Sequence, residues 1–195
     1  MNLLEEKILK YGKVLPGEIL KVDNFLNHQV DMDTMYWIGE EFAKRFKDAG
    51  ITKVLTLESS GIPPAVMTAY ELQIPFVFAK KAKSANLGNA GVYTSKVRSY
   101  TYGNEYTITV SDQYLGKKDT VLIVDDFLAT GEAVHGMLEL CEKAGAKVAG
   151  IGICIEKGFQ NGGKDLREKG YHLESLAVID EMNDDGTLKF RNQGE

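Results

Sequence analysis

Two adjacent carboxylates, Asp125 and Asp126, follow the apolar run TVLIV at residues 120–124, and a short turn, Ala129-Thr130-Gly131, comes just after them. The whole string, residues 121–133, reads VLIVDDFLATGEA. A strand ending at the acids and a helix over residues 131–144 would place the carboxylates at the carboxyl edge of a sheet. Open α/β proteins bind ligands there. The N–H groups of Ala129, Thr130, Gly131, Glu132 and Ala133 can then converge on one concavity at the positive end of a helix, which suits a phosphate monoester. Gly131 allows close backbone approach, and the Thr130 hydroxyl can donate to the same anion. Two acids beside an anion repel it unless they hold hydroxyls or a cation. A ribose diol with Mg²⁺ meets both conditions.

Such a site needs a sheet and helices to hold it. The chain has 195 residues, 44% hydrophobic and 26% charged, with a net charge of -5. That length suits one domain and can bury roughly 70% of the unfolded surface. No stretch approaches the roughly 20 apolar residues of a membrane span. The N-terminus MNLLEEKILKYGK mixes acids and lysines with leucines, unlike a secretory signal. Cys141 and Cys154 are too few for a disulfide framework. A reduced, cytoplasmic protein is expected. The acidic balance argues against nucleic-acid binding, which calls for clustered positive charge.

The runs at 52–57 (TKVLTL), 74–79 (IPFVFA), 120–124 and 147–155 (KVAGIGICI) read as strands buried on both faces. Residues 63–72 and 131–144 read as helices, the second ending at Gly145. An earlier helix, capped by Asp33, carries Ile38, Phe42 and Phe46 on one stripe and stops at Gly50. The expected fold is an open, mostly parallel twisted α/β sheet flanked by helices. Residues 11–31 and 81–112 fall outside this alternation. In the second segment, strand-like arms flank Gly103-Asn104, as in a hairpin flap. Glu58-Ser59-Ser60-Gly61 forms a second strand–turn–helix step, and Lys80, Lys81 and Lys83 form a basic patch after the next strand. Asp184-Asp185-Gly186 reads as a hairpin turn. His28, His135 and His172 are scattered without metal-ligand spacing, and His135 reads as structural.

The string 121–133 resembles the phosphoribosyl-pyrophosphate (PRPP) motif of type I phosphoribosyltransferases. Many members have glycine and threonine where this chain has Glu132 and Ala133. The resemblance implies that Asp125 and Asp126 hold the ribose hydroxyls, directly or through Mg²⁺, and that residues 129–133 bind the 5-phosphate. It also implies that Ser59, Ser60 and Gly61 bind pyrophosphate, with Lys81 neutralising it, and that Ser99 and Tyr100 act in the flap. LKVDNFLNHQVD, ESSG and IEKGFQ extend the resemblance to the xanthine-using members. Leu20, Asn27 and Lys157 match base-contacting positions there, and Phe159 could stack on the base or fill core. In such members, residues 1–33 and about 157–195 form a hood over the base of a single domain, and 81–112 a flexible flap. Lysine donates only, so it suits a purine carbonyl and disfavours adenine. An Asn amide can flip, which keeps guanine and hypoxanthine open as alternatives. A homodimer with xanthine and PRPP as substrates, and with neither nucleic acid nor membrane as partner, is the implied assembly. A PRPP-sensing regulator is the rival reading, but no basic run or helix-turn-helix pattern precedes the sheet.

Overall fold

The near-continuous apolar runs become the centre of one sheet, because each buries side chains on both faces. The computed structural model describes residues 1–82, 91–98 and 105–192. Strand β3 spans Lys53–Leu57, β4 Phe76–Ala82, β7 Thr120–Leu128 and β8 Lys147–Lys157. Helix α3 (Ile62–Leu72) joins β3 to β4, and α4 (Glu132–Ala144) joins β7 to β8. Along β7 the alternation of side chains divides the core. Leu122 and Val124 face one apolar cluster, and Val121 and Ile123 face the other.

Further strands extend the sheet. They are β5 (Val92–Arg98), β6 (Glu105–Ser111), β9 (Leu173–Met182) and β10 (Leu188–Phe190). The order across eight strands is β10-β9-β8-β7-β3-β4-β6-β5. The five central strands run parallel, and β10, β6 and β5 are antiparallel additions. The open, mostly parallel α/β sheet expected from the sequence is therefore the fold. β5 and β6 are the two arms of the expected hairpin, with Tyr93 opposite Val110. Asp184-Asp185-Gly186 turns β9 into β10. Ser99 and Tyr100 lie outside the described residues. The chain steps from β3 to β4 on one side and places β7 on the other. The strand order thus reverses between β3 and β7, and the loops leaving those strands open a crevice.

Before the sheet, α1 (Leu3–Tyr11) leads into a hairpin of β1 (Lys13–Leu15) and β2 (Ile19–Lys21). Asn2 caps α1 and also donates to the Leu176 carbonyl, which ties the N-terminus to β9. A π-helical turn, Asp23–Asn27, leads to α2 (Met32–Phe46). Ile38, Phe42 and Phe46 form the buried stripe of α2, as its spacing predicts. The cap is Asp31, not Asp33. Asp31 has extended backbone, and its carboxylate accepts from the Thr34 N–H at 2.9 Å and the Thr34 hydroxyl at 2.5 Å. Asp33 already lies in the first helical turn, where it has no free turn of N–H groups ahead of it to accept from. A short helix, α5 (Gly162–Glu168), lies between β8 and β9. Among the described residues, no helix is long and apolar enough to cross a membrane.

Candidate functional site

Asp125 and Asp126 sit at the carboxyl end of β7, each 6% exposed, where β3 and β7 diverge. They face different surroundings. The Asp126 carboxylate accepts from Ser60 Oγ at 2.9 Å and from Asn27 Nδ2 at 2.9 Å. The β3–α3 turn and the N-terminal segment thus meet the strand end at one side chain. The Asp125 carboxylate accepts the Asp126 N–H at 3.0 Å. Burial, and then the neighbouring Asp126 charge, push its pKa well above the carboxylate range, while Lys81 pulls it back. Asp126 is thus held as an acceptor, while burial disfavours the charged form of Asp125. Gly61 packs so closely that a β-carbon there would lie 2.8 Å from Asp125 Oδ1. The Glu58–Ser59 peptide is cis, and Ser59 is exposed.

The turn after β7 leads into α4 through Gly131, whose φ of 92° is a left-handed conformation suited to glycine. The first N–H groups of α4 have no intrahelical acceptor and face outward from the helix start. Gly162 supports this turn from behind. Its N–H donates to the Ala129 carbonyl at 3.1 Å, and a β-carbon there would lie 2.5 Å from that oxygen. His135 in the first turn of α4 pairs with Asp165 of α5 at 2.9 Å, in line with a structural role. A cleft of about 160 Å³ lies along the turn, lined by Thr130, Gly131, Glu132 and Ala133 and walled by Arg98 and Tyr106 from the hairpin. Lys81 stands on β4 with its backbone N–H bonded to Glu58, the first residue of the β3–α3 turn.

On the other side of the crevice, Leu20 is buried at 7% exposure in the hairpin β1–β2, and Phe159 packs against the same apolar cluster. Lys157 ends β8 and donates from Nζ to the Glu18 carbonyl at 2.7 Å. Gln160 Nε2 holds the Glu18 carboxylate at 3.0 Å. Burial lowers the Lys157 pKa. Next to it, Glu156 is 2% exposed and accepts both Arg167 guanidinium nitrogens, at 2.7 and 2.8 Å, and the Ser175 hydroxyl. Burial alone would raise the Glu156 pKa, but the Arg167 and Ser175 hydrogen bonds outweigh it and hold the acid below its usual range.

The structure brings Asp126, Ser60 and Asn27 into direct contact, sets Lys81 within electrostatic reach of Asp125, and joins Lys157 to the hairpin that carries Leu20. Tyr106, Gly162 and the Glu156–Arg167 pair were not read from the sequence. The tandem Gly162-Gly163 is the one sequence feature that could have pointed to such a close approach. Among the described residues, no group of three or more His, Cys, Asp or Glu side chains is placed to hold a metal. Two adjacent carboxylates fit a hard cation whose remaining ligands would come from a bound anion.

At the reversal point of a mostly parallel sheet, paired acids stand beside a glycine turn that opens a helix, a layout that open α/β proteins use to bind ligands. The phosphoribosyl transferase domain family matches residues 22–180, and the chain belongs to that family. It is similar to the xanthine phosphoribosyltransferase of Oceanobacillus iheyensis, with 52% identity over 99% of this chain and 98% of that protein. The xanthine phosphoribosyltransferase of Limosilactobacillus fermentum is 54% identical over the full length of both chains. Among solved structures, the adenine phosphoribosyl transferase of Trypanosoma brucei shares the fold. Its TM-score is 0.74 at 24% identity, covering 90% of this chain and 79% of that one.

Proposed function

We propose that this protein transfers the 5-phosphoribosyl group of PRPP to xanthine, releasing pyrophosphate and forming xanthosine 5′-monophosphate in purine salvage. The observation that carries this reading is the meeting of Asp126, Ser60 and Asn27. It joins the ribose, pyrophosphate and base sides of one crevice beside the phosphate turn.

In the reaction the C1–oxygen bond to pyrophosphate breaks, a bond from a purine ring nitrogen to C1 forms, and that nitrogen loses its proton. Charge develops on the ribose and on the leaving group, so the protein works by positioning and charge neutralisation. The N–H groups of residues 129–133 hold the 5-phosphate. Asp126 accepts from the ribose hydroxyls, with Asp125 beside it. Ser59, Ser60 and Gly61 cradle pyrophosphate, and Lys81 meets its charge. Mg²⁺, when bound, supplies further neutralisation of the pyrophosphate and would be held by Asp126 with Asp125 and substrate oxygens. Lys157 and the Asn27 amide donate to the xanthine carbonyls, while Leu20 and Phe159 flank the ring. Residues 1–33 and about 157–195 form the hood over the base, and 81–112 the flap that excludes water.

Asn27 binds Asp126 at 2.9 Å, so a single hydrogen bond is exchanged when either substrate arrives. That favours binding of the two substrates together. The protein acts as a homodimer in the cytoplasm. An apolar groove of about 680 Å³, lined by Phe76, Phe78, Val92 and Tyr114, supports the dimer. The buried, free Cys141 and Cys154 suit a reducing compartment. Incubation with PRPP, Mg²⁺ and xanthine, followed by mass spectrometry, tests the proposal. Xanthosine 5′-monophosphate and pyrophosphate in equal amounts are expected, and PRPP left unconsumed would overturn it.

A further inference from the structure

We propose that Tyr106 is a positioning residue for Lys81, its ring holding the Lys81 ammonium at the mouth of the phosphate cleft where the pyrophosphate of the substrate arrives. This rests on the site reading above and adds a specific residue to it.

The register of two strands creates the pair. Lys81 on β4 lies opposite Ile108 on β6, and Tyr106, two residues before Ile108, is on the same face of β6. That face is the one turned to α4. The Ile108 side chain is fully buried there, 3.1 Å from where a β-carbon on Gly136 would stand. Lys81 Nζ lies 5.3 Å from the Tyr106 ring centroid, within cation–π range. Lys80, on the opposite face of β4, lies over Phe78 and away from the crevice.

Lys81 has no ion pair or side-chain hydrogen bond among the described residues, so the ring is the partner that fixes its ammonium. A lysine ammonium on a flexible stem reaches many positions in water, and a fixed aromatic face narrows them. The charge so placed is felt by Asp125. Tyr106 itself is half-buried and lines the cleft with Thr130 and Gly131. Burial, and then the nearby Asp125, raise its phenol pKa. Among the described residues no carboxylate forms an ion pair with this ammonium, which stays within electrostatic reach of Asp125. Such a cation is free to meet an incoming polyanion. The ring does this work; the hydroxyl is not needed for it.

Steady-state kinetics with PRPP and xanthine test the proposal through the character of the ring. Tyr106→Leu keeps an apolar side chain but removes the ring, and should raise the KM for PRPP about three- to tenfold. The KM for xanthine should stay within about twofold, since the base side is untouched. Tyr106→Phe should match the wild type within about twofold, because it keeps the ring face. In a Lys81→Met background, Tyr106→Leu should add less than about twofold, as expected for two residues acting as one unit. Product inhibition by pyrophosphate should weaken in parallel. If Tyr106→Leu does not fold, Tyr106→Trp should hold the KM for PRPP at or below the wild-type value.

Phe as damaging as Leu would overturn the proposal by showing that the hydroxyl acts. So would an undiminished effect of Tyr106→Leu in the Lys81→Met background, or equal rises in both KM values. A wild-type protein that leaves PRPP unconsumed overturns the site reading and this inference with it. Turnover without a Lys81-dependent effect of Tyr106 overturns this inference alone.

Discussion

The two sides of the crevice are built by different means. In the proposed reading, the side that would hold phosphate is made of backbone, with a strand end, a turn through Gly131 and the first turn of α4, supported from behind by Gly162. Its donors are N–H groups whose direction is set by the helix. The side proposed to hold the base is made of side chains from segments far apart in the chain. Asn27 reaches Asp126 across 99 residues, and Lys157 reaches Glu18 across 139. A backbone site tolerates changes of side chain but not of backbone position. A side-chain site is lost when its side chains change. Glu132 and Ala133, where many relatives of the motif have glycine and threonine, fall on the tolerant side of that rule.

The largest effect belongs to the residue where both sides meet. Asp126→Asn should lower kcat about 10²–10³-fold, the range for losing one preorganised group at a reacting centre. Thermal melting should change little. A large loss of melting temperature would make Asp126 structural and dissolve the comparison. Gly162→Ala comes next. Its β-carbon would meet the Ala129 carbonyl at 2.5 Å and push the phosphate turn out of place. A rise of about tenfold or more in the KM for PRPP is expected, with the KM for xanthine nearly unchanged. Lys157→Ala is the mirror experiment, with an expected rise of about tenfold in the KM for xanthine and little change for PRPP. Equal effects on both substrates would erase the division.

Asp125→Asn tests the electrostatic contrast between the two acids. The folded pKa of Asp125 is raised from 3.8, so folding disfavours its charged form. Its destabilising contribution is absent below the unfolded pKa and grows as pH rises toward the folded value. The Asn variant should therefore melt like the wild type near pH 3.8 and higher than it at neutral pH, as read by melting curves across pH. The smallest effect is Ala133→Thr, which should shift the KM for PRPP by no more than about twofold if N–H groups carry the phosphate.

This division also explains what the sequence disclosed. The phosphate side lies in thirteen consecutive residues, 121–133, and strand, turn and helix signals are local, so its elements could be read directly. The central strands were legible for the same reason, as continuous apolar runs. The Asn27–Asp126 contact depends on where the N-terminal segment lands on the finished sheet, and no spacing encodes that. Tyr106 read as one more strand residue, because its place over the cleft follows from the antiparallel register of β4 and β6. The choice between Asp31 and Asp33 as the cap of α2 was not local either. Both are good caps by type, and Asp31 is also held by Lys7 of α1 at 3.1 Å.

The most direct measurement is kcat/KM for xanthine, guanine, hypoxanthine and adenine at saturating PRPP and Mg²⁺. The account predicts that xanthine exceeds the other three, with adenine the poorest, because Lys157 and the Asn27 amide would present donors to two carbonyls. Preference for adenine, or turnover of none of the four, would contradict it.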